Sequence, residues 1–107
     1  MNGNLTNILP NVVSAIVSRM RPEKIVLFGS AAEGRVDAGD LDLMIVHDSD
    51  LRPDRRAIPF SRLFRPRSCP MDFLVYTPSE AERFAKEPGS FYSKIMRTGK
   101  VLYERPA

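Results

Sequence analysis

Apolar residues near the start of the chain recur at helical spacing: Leu5, Ile8, Leu9, Val12, Val13, Ile16, Val17 and Met20. The pattern predicts an amphipathic helix with its apolar face inward. Pro10 fits only within a first turn, where amide hydrogens have no helical partner, so the well-formed helix is expected to begin near Asn7; Arg21-Pro22 ends it. The period then changes. Residues 24–28 form a short continuous apolar run, as in a strand interior to a sheet. Residues 41–46 and Met71–Tyr76 predict the second and third strands, and Lys100–Tyr103 a short last one. Residues 30–34 read as a small helix or turn and 35–39 as a loop. Arg52–Arg67, where prolines interrupt Ile58, Phe60, Leu63 and Phe64, reads as a broken or short helix with loops. Thr77-Pro78-Ser79-Glu80 opens a helix with Thr77 as N-cap, Pro78 in first position and Glu80 completing a capping box. That helix breaks at Pro88-Gly89. Another runs from Ser90 to Thr98, with Gly99 expected as a left-handed cap. Helix and strand alternate from end to end, which predicts an α/β layer fold around one sheet.

Composition narrows this only a little. With 107 residues, a single domain spanning 1–107 is expected, and 43% hydrophobic content suffices for a real core. The net charge of +3 suits an anionic ligand without identifying one. Cys69 is the sole cysteine, which excludes an intrachain disulfide and any multi-cysteine metal site; a half-buried free thiol is expected. The start of the chain lacks the basic and apolar regions of a signal peptide. No run approaches the ~20 apolar residues that cross a bilayer. A reducing, cytoplasmic location without membrane contact is the expectation.

The candidate chemistry sits between Ile25 and His47. Gly29-Ser30 follows the first strand, and glycine lets a backbone approach an anion closely. Ser30 would open a helix whose free amides favour negative charge, and its hydroxyl can donate to a phosphate oxygen. Asp40 and Asp42 open the second strand. Residues two apart on a strand share a face, roughly 6–7 Å apart, so these carboxylates project together while Leu41, Leu43 and Ile45 face the core. Mg²⁺ prefers such hard oxygen ligands and shares them with substrate phosphates. Asp72 opens the third strand. If strands two and three are neighbours, it completes a three-carboxylate cluster able to hold two metals about 3.5–4 Å apart. A lone Asp-x-Asp is more often a turn and strand-start pair, and a lone Gly-Ser more often a loop. The order of strand, Gly-Ser, spacer, Asp-x-Asp and a later strand-opening Asp is what carries the signal.

That order resembles the signature of the DNA polymerase beta-like nucleotidyltransferase superfamily. More closely, it is similar to the minimal nucleotidyltransferase (MNT) domains of bacteria and archaea. The similarity covers Leu27-Phe28-Gly29-Ser30 with Ala32 and Gly34, Asp40-Leu41-Asp42-Leu43 with Val46, Met71-Asp72-Phe73 through Thr77-Pro78, and the tail from Ile95-Met96-Arg97 to Gly99-Lys100-Val101-Leu102-Tyr103-Glu104. The chain departs from the family pattern at Gly39, where serine is usual, and at Ala31 and Glu33, where a basic residue is frequent. Arg35 is placed to offset Glu33. The resemblance implies a nucleotidyltransferase fold, α/β (α+β), with a mixed central sheet of about four strands flanked by helices. It implies that Gly29 and Ser30 hold the triphosphate of ATP or another NTP. Asp40, Asp42 and Asp72 would bind Mg²⁺ in a two-metal site, Asp72 also helping to deprotonate an acceptor hydroxyl. The implied reaction is in-line attack on the α-phosphate with release of pyrophosphate, catalysed by positioning and charge neutralisation.

Three functions remain in view at this stage. The first is a transferase placing a nucleoside monophosphate, AMP above all, on a hydroxyl brought by a partner protein. In the resembling family such domains pair with helical HEPN proteins as toxin–antitoxin systems; the MNT member is the antitoxin, and some members add AMP units to a tyrosine of the toxin. The second is an interaction module that neutralises a partner by binding, in a homo- or hetero-oligomer; keeping all three carboxylates argues against it. The third is a nucleic-acid binder, resting on Arg52, Arg55, Arg56, Arg62, Arg65 and Arg67 against one acid, Asp54, with no aromatic stacking platform to support it. His47 reads as a strand-end residue, and Tyr92 and Tyr103 as packing or edge residues.

Overall fold

The computed structural model describes residues 4–34, 39–65 and 69–106, with side chains from Asn7 onward. Helix α1 (Asn4–Met20) buries Val12 and Ile16. It begins before Asn7 and carries Pro10 inside it, unlike the sequence expectation. An internal proline forfeits one helical hydrogen bond and crowds the preceding turn, at about 3 kcal/mol. Pro10 stands on the exposed side, while Ile8, Leu9, Val12 and Val13 pack on the core around it, and that packing overrides the local penalty. At the helix end Arg21 adopts φ 51° and donates its amide to the Val17 carbonyl (3.1 Å), with Pro22 buried just beyond.

Strands β1 (Lys24–Phe28), β2 (Leu41–Val46), β3 (Met71–Tyr76) and β4 (Lys100–Glu104) form one sheet in the order β3-β2-β1-β4. β1 is antiparallel to β2 and β4, and β2 is parallel to β3, so the sheet is mixed. The uninterrupted apolar run of β1 is explained by its interior place, with both faces covered. One face, with Ile25, Leu27, Leu41, Leu43 and Ile45, packs against α1 and against Phe60 of α2 (Ala57–Ser61). The other, with Val26, Met44 and Val46, packs against Ala81 of α3 (Pro78–Ala85) and Tyr92 and Ile95 of α4 (Phe91–Thr98). Pro59 is third in α2, where no helical acceptor awaits its missing amide hydrogen, so the short helix tolerates it.

The capping box predicted for α3 is present. The Glu80 amide donates to Thr77 Oγ1 (3.3 Å), and the Thr77 amide donates to Glu80 Oε1 (3.0 Å). Ser90 caps α4 by accepting from the Ser93 amide (3.1 Å). The hydroxyls of Ser90 and Ser93 both donate to the Phe84 carbonyl (2.9 and 3.0 Å), which fixes the start of α4 to the end of α3. Gly99 is not a left-handed cap: its φ is −87°. Glycine is needed there for space, because a Cβ would lie 2.7 Å from the carbonyl oxygens of both Ile95 and Leu27. The left-handed residue that follows a helix is Arg21, just after α1.

Candidate active site

At the end of β1 the chain turns sharply. Gly29 has φ 77°, a conformation that glycine reaches without a Cβ penalty. The segment after it is not an α-helix. Ala32, Glu33 and Gly34 donate in succession to the carbonyls of Gly29, Ser30 and Ala31 (3.1, 3.1 and 3.2 Å), a run of tight turns. Five residues are too few to repay helix nucleation. The amides of Ser30 and Ala31 donate to no acceptor among the described residues. Consecutive free amides in a turn can form an anion-binding concavity, and this turn offers two. Arg35, expected to offset the exposed Glu33, lies outside the described residues.

The carboxylates approach from the neighbouring strands. β2 and β3 pair in register, Leu41 with Met71 and Asp42 with Asp72. Adjacent strands are about 4.8 Å apart, so Asp42 and Asp72 stand side by side on one face. The Leu41 amide donates to the Pro70 carbonyl (3.0 Å), holding both strand starts level. Asp42 is half-buried, and its carboxyl titrates above the ordinary value. Burial is the largest cause, followed by the charges of Asp72 and Asp40 and a hydrogen bond shared with Asp72. Asp40 and Asp72 are exposed. Gly29 meets this cluster from β1: a Cβ there would collide with Asp42 Oδ2.

The donors suit a hard divalent cation: adjacent carboxylate oxygens, with burial and neighbouring negative charge disfavouring the ionised form of Asp42. Among the described residues, no three acidic, histidine or cysteine side chains are gathered into a ready metal cage. Mg²⁺ seldom needs one, since it is commonly held by one or two carboxylates plus substrate phosphates. Asp42 and Asp72 are the pair brought together, and the charge of Asp40, exposed just before β2, acts on Asp42.

Substituting Gly29 by alanine should disable this corner by two routes, the left-handed φ and the collision with Asp42. We expect the nucleotide transfer that the sequence resemblance implies to fall at least about 100-fold, the scale of losing one positioned stabilising group, while the circular-dichroism spectrum stays native. Transfer within twofold of wild type would show that the close approach of Gly29 to Asp42 is not needed.

Other sequence candidates fall into structural roles. The His47 amide donates to the Tyr76 carbonyl (2.9 Å), its ring lies edge-on to Phe60 (5.3 Å), and burial lowers its pKa, as befits a strand-end residue. Tyr92 is buried against Tyr76, and Tyr103 is half-buried on β4. Cys69 is a half-buried free thiol, its pKa raised by burial and by Asp40.

The arginine run contains one residue that charge alone concealed. Arg56 is 9% exposed; its Nη1 donates to Glu80 Oε1 (2.7 Å) and its Nε to the Leu51 carbonyl (3.1 Å). It is a clamp, not part of a basic face. Arg52 pairs with Asp54 at the surface (3.1 Å), Arg55, Arg62 and Arg65 are exposed, and Arg67 lies outside the described residues.

A mixed sheet flanked by helices, with a glycine turn set against a carboxylate pair, is the framework of a nucleotidyl-transferring domain. The chain matches the nucleotidyltransferase domain family over residues 9–104 and belongs to that family. Its fold is similar to the crystal structure of a "putative nucleotidyltransferase from Sulfolobus solfataricus", at 20% identity and a TM-score of 0.63, covering 92% of this chain and 79% of that one. No protein of curated function matches the chain. Among the described residues, no helix is long and apolar enough to cross a membrane.

Proposed function

We propose that this chain transfers a nucleoside monophosphate from an NTP to an acceptor hydroxyl, with Asp42 and Asp72 as the central carboxylates, Asp40 supporting them, and Gly29-Ser30 holding phosphate. The observation that carries this reading is the in-register pairing of Asp42 with Asp72 on parallel strands, closed from β1 by a glycine that leaves no room for a Cβ. The amides of Ser30 and Ala31 orient the phosphates, and the carboxylates fix the geometry around the α-phosphorus. The acceptor oxygen forms its bond to that phosphorus as the bond to the bridging oxygen of the β-phosphate breaks, and pyrophosphate leaves with the electron pair. Asp72, exposed at the strand start, takes the hydroxyl proton. Mg²⁺, when bound, supplies neutralisation of phosphate charge.

The finer reading is adenylylation, with ATP as donor and a hydroxyl of a partner protein as acceptor, the chain acting as antitoxin to a HEPN-type helical partner. Support for it comes from the resemblance carried by Leu27–Ser30, Asp40–Leu43 and Asp72. The test incubates the protein with Mg²⁺, each labelled NTP and the protein encoded beside it, comparing wild type with the Asp40→Ala/Asp42→Ala double variant. Label should pass from ATP to the partner protein with wild type only. Absence of label on every protein, RNA and small molecule offered would end the enzyme reading. Full neutralisation of the partner by the double variant would make binding, not transfer, the function.

A further inference from the structure

We propose that Phe91, braced by Phe28, is a stacking wall for the base of the nucleotide; the inference rests on the nucleotidyl-transfer reading and adds the base subsite to it. α4 turns Tyr92 and Ile95 into the core, and Phe91, one residue off that face, is 51% exposed. Its place does not depend on its own burial, because Ser90 and Ser93 tether the helix start to the Phe84 carbonyl. Phe28 is the last residue of β1, directly before Gly29 and directly opposite Asp42 in the antiparallel ladder. Opposite residues in such a pair share a face, so the Phe28 ring and the Asp42 carboxylate lie together. Phe28 packs against the second core cluster, and its ring meets that of Phe91 edge to face, with centroids 5.9 Å apart at 87°. That geometry fixes the Phe91 ring in orientation.

An exposed phenyl ring thus packs on Phe28, the residue that directly precedes the Gly29 turn and pairs with Asp42 across the ladder. Of the large apolar residues exposed among those described, Leu51, Ile58, Phe91 and Val101, it is the aromatic one. A nucleotide held by its phosphates at Ser30 and Ala31 must place its base against some neighbouring surface, and this one offers a π-face. Stacking on phenylalanine reads no hydrogen-bond pattern, so the wall should strengthen binding of any purine triphosphate without choosing between ATP and GTP.

The test titrates wild type, Phe91→Ala, Phe91→Tyr and Asp42→Asn with ATP, GTP and inorganic tripolyphosphate, each with Mg²⁺, by calorimetry. Phe91→Ala should weaken ATP and GTP binding about tenfold while leaving tripolyphosphate unchanged. Phe91→Tyr should stay within about twofold of wild type, and Asp42→Asn should weaken all three ligands. An unchanged ratio of ATP to tripolyphosphate affinity in Phe91→Ala overturns the base subsite alone. So does an equal loss for all three ligands. Failure of wild type to bind any of the three with Mg²⁺ overturns the transfer reading itself.

Discussion

Replacing Asp42 by asparagine is expected to abolish transfer and, at the same time, to raise the melting temperature of the metal-free protein. Ionisation of Asp42 is disfavoured in the fold by burial and by the charges of Asp72 and Asp40. Its folded pKa therefore lies above the unfolded one. The stability this linkage gives is fully present below the ordinary carboxylate value and is lost as pH rises through the raised one. At neutral pH the wild type folds against that repulsion, and asparagine, which does not ionise, removes it. Because Asp72 and Asp40 are exposed, solvent screens much of the effect. A rise of about 2–4 °C is expected, as roughly half a kcal/mol would give in a domain near this size. Activity should fall by at least about 10³-fold if, as proposed, the residue is one of the central carboxylates of the transfer site. Melting curves from pH 4 to 8 give the check. The variant should gain most at the upper end, and millimolar Mg²⁺ should stabilise wild type more than the variant. A lower melting temperature for Asp42→Asn at pH 7 would show that the carboxylate holds the fold together instead of straining it.

The sequence made the site's carboxylates legible because strand periodicity is strict. Asp40 and Asp42 are two apart, Leu41 and Leu43 fall to the buried face between them, and Asp72 is second in a similar run, so parallel pairing aligns Asp42 with Asp72. Glycines were harder to read. Gly29 and Gly99 are alike in sequence, yet one is required for φ and for the approach of Asp42, the other only for the approach of two carbonyl oxygens. A glycine signals either need, and only tertiary contacts tell which. Pro10 misled for the same reason in reverse: a local rule about helix starts yielded to the packing of residues around it. Depth was the least legible property. Six arginines in sixteen residues look like a basic surface. Nothing in that pattern singles out Arg56, whose partner Glu80 was already accounted for by its capping box.

Removing that buried cation should produce the largest loss of stability among substitutions of the described arginines in this segment. Arg56→Ala would leave Glu80 partly buried without its cation and the Leu51 carbonyl without its donor. Breaking a buried pair from one side costs about 3–5 kcal/mol, and the lower figure applies because Glu80 keeps the Thr77 amide as a partner. At about 4–8 °C per kcal/mol, the melting temperature should drop by roughly 12–24 °C. Arg52→Ala, which breaks only the exposed pair with Asp54, should cost under about 0.5 kcal/mol and serves as the control. The pH dependence identifies the cause. The hydrogen bond from Arg56 is the main influence holding the Glu80 carboxyl below the ordinary glutamate value of 4.5. Its contribution is therefore present above that value and lost as pH falls through the depressed one. Urea denaturation at pH 7 and at pH 3 should show wild type losing this increment and Arg56→Ala losing little further. Equal, small effects of Arg52→Ala and Arg56→Ala would mean that the clamp carries no stability. Arg56 joins the segment before α2 to the start of α3, and its Nη1 also reaches the Val75 carbonyl of β3 (3.5 Å). Loosening it should thus also reduce transfer, through the strand that positions Asp72, and Mg²⁺ affinity measured on the still-folded fraction should weaken with it.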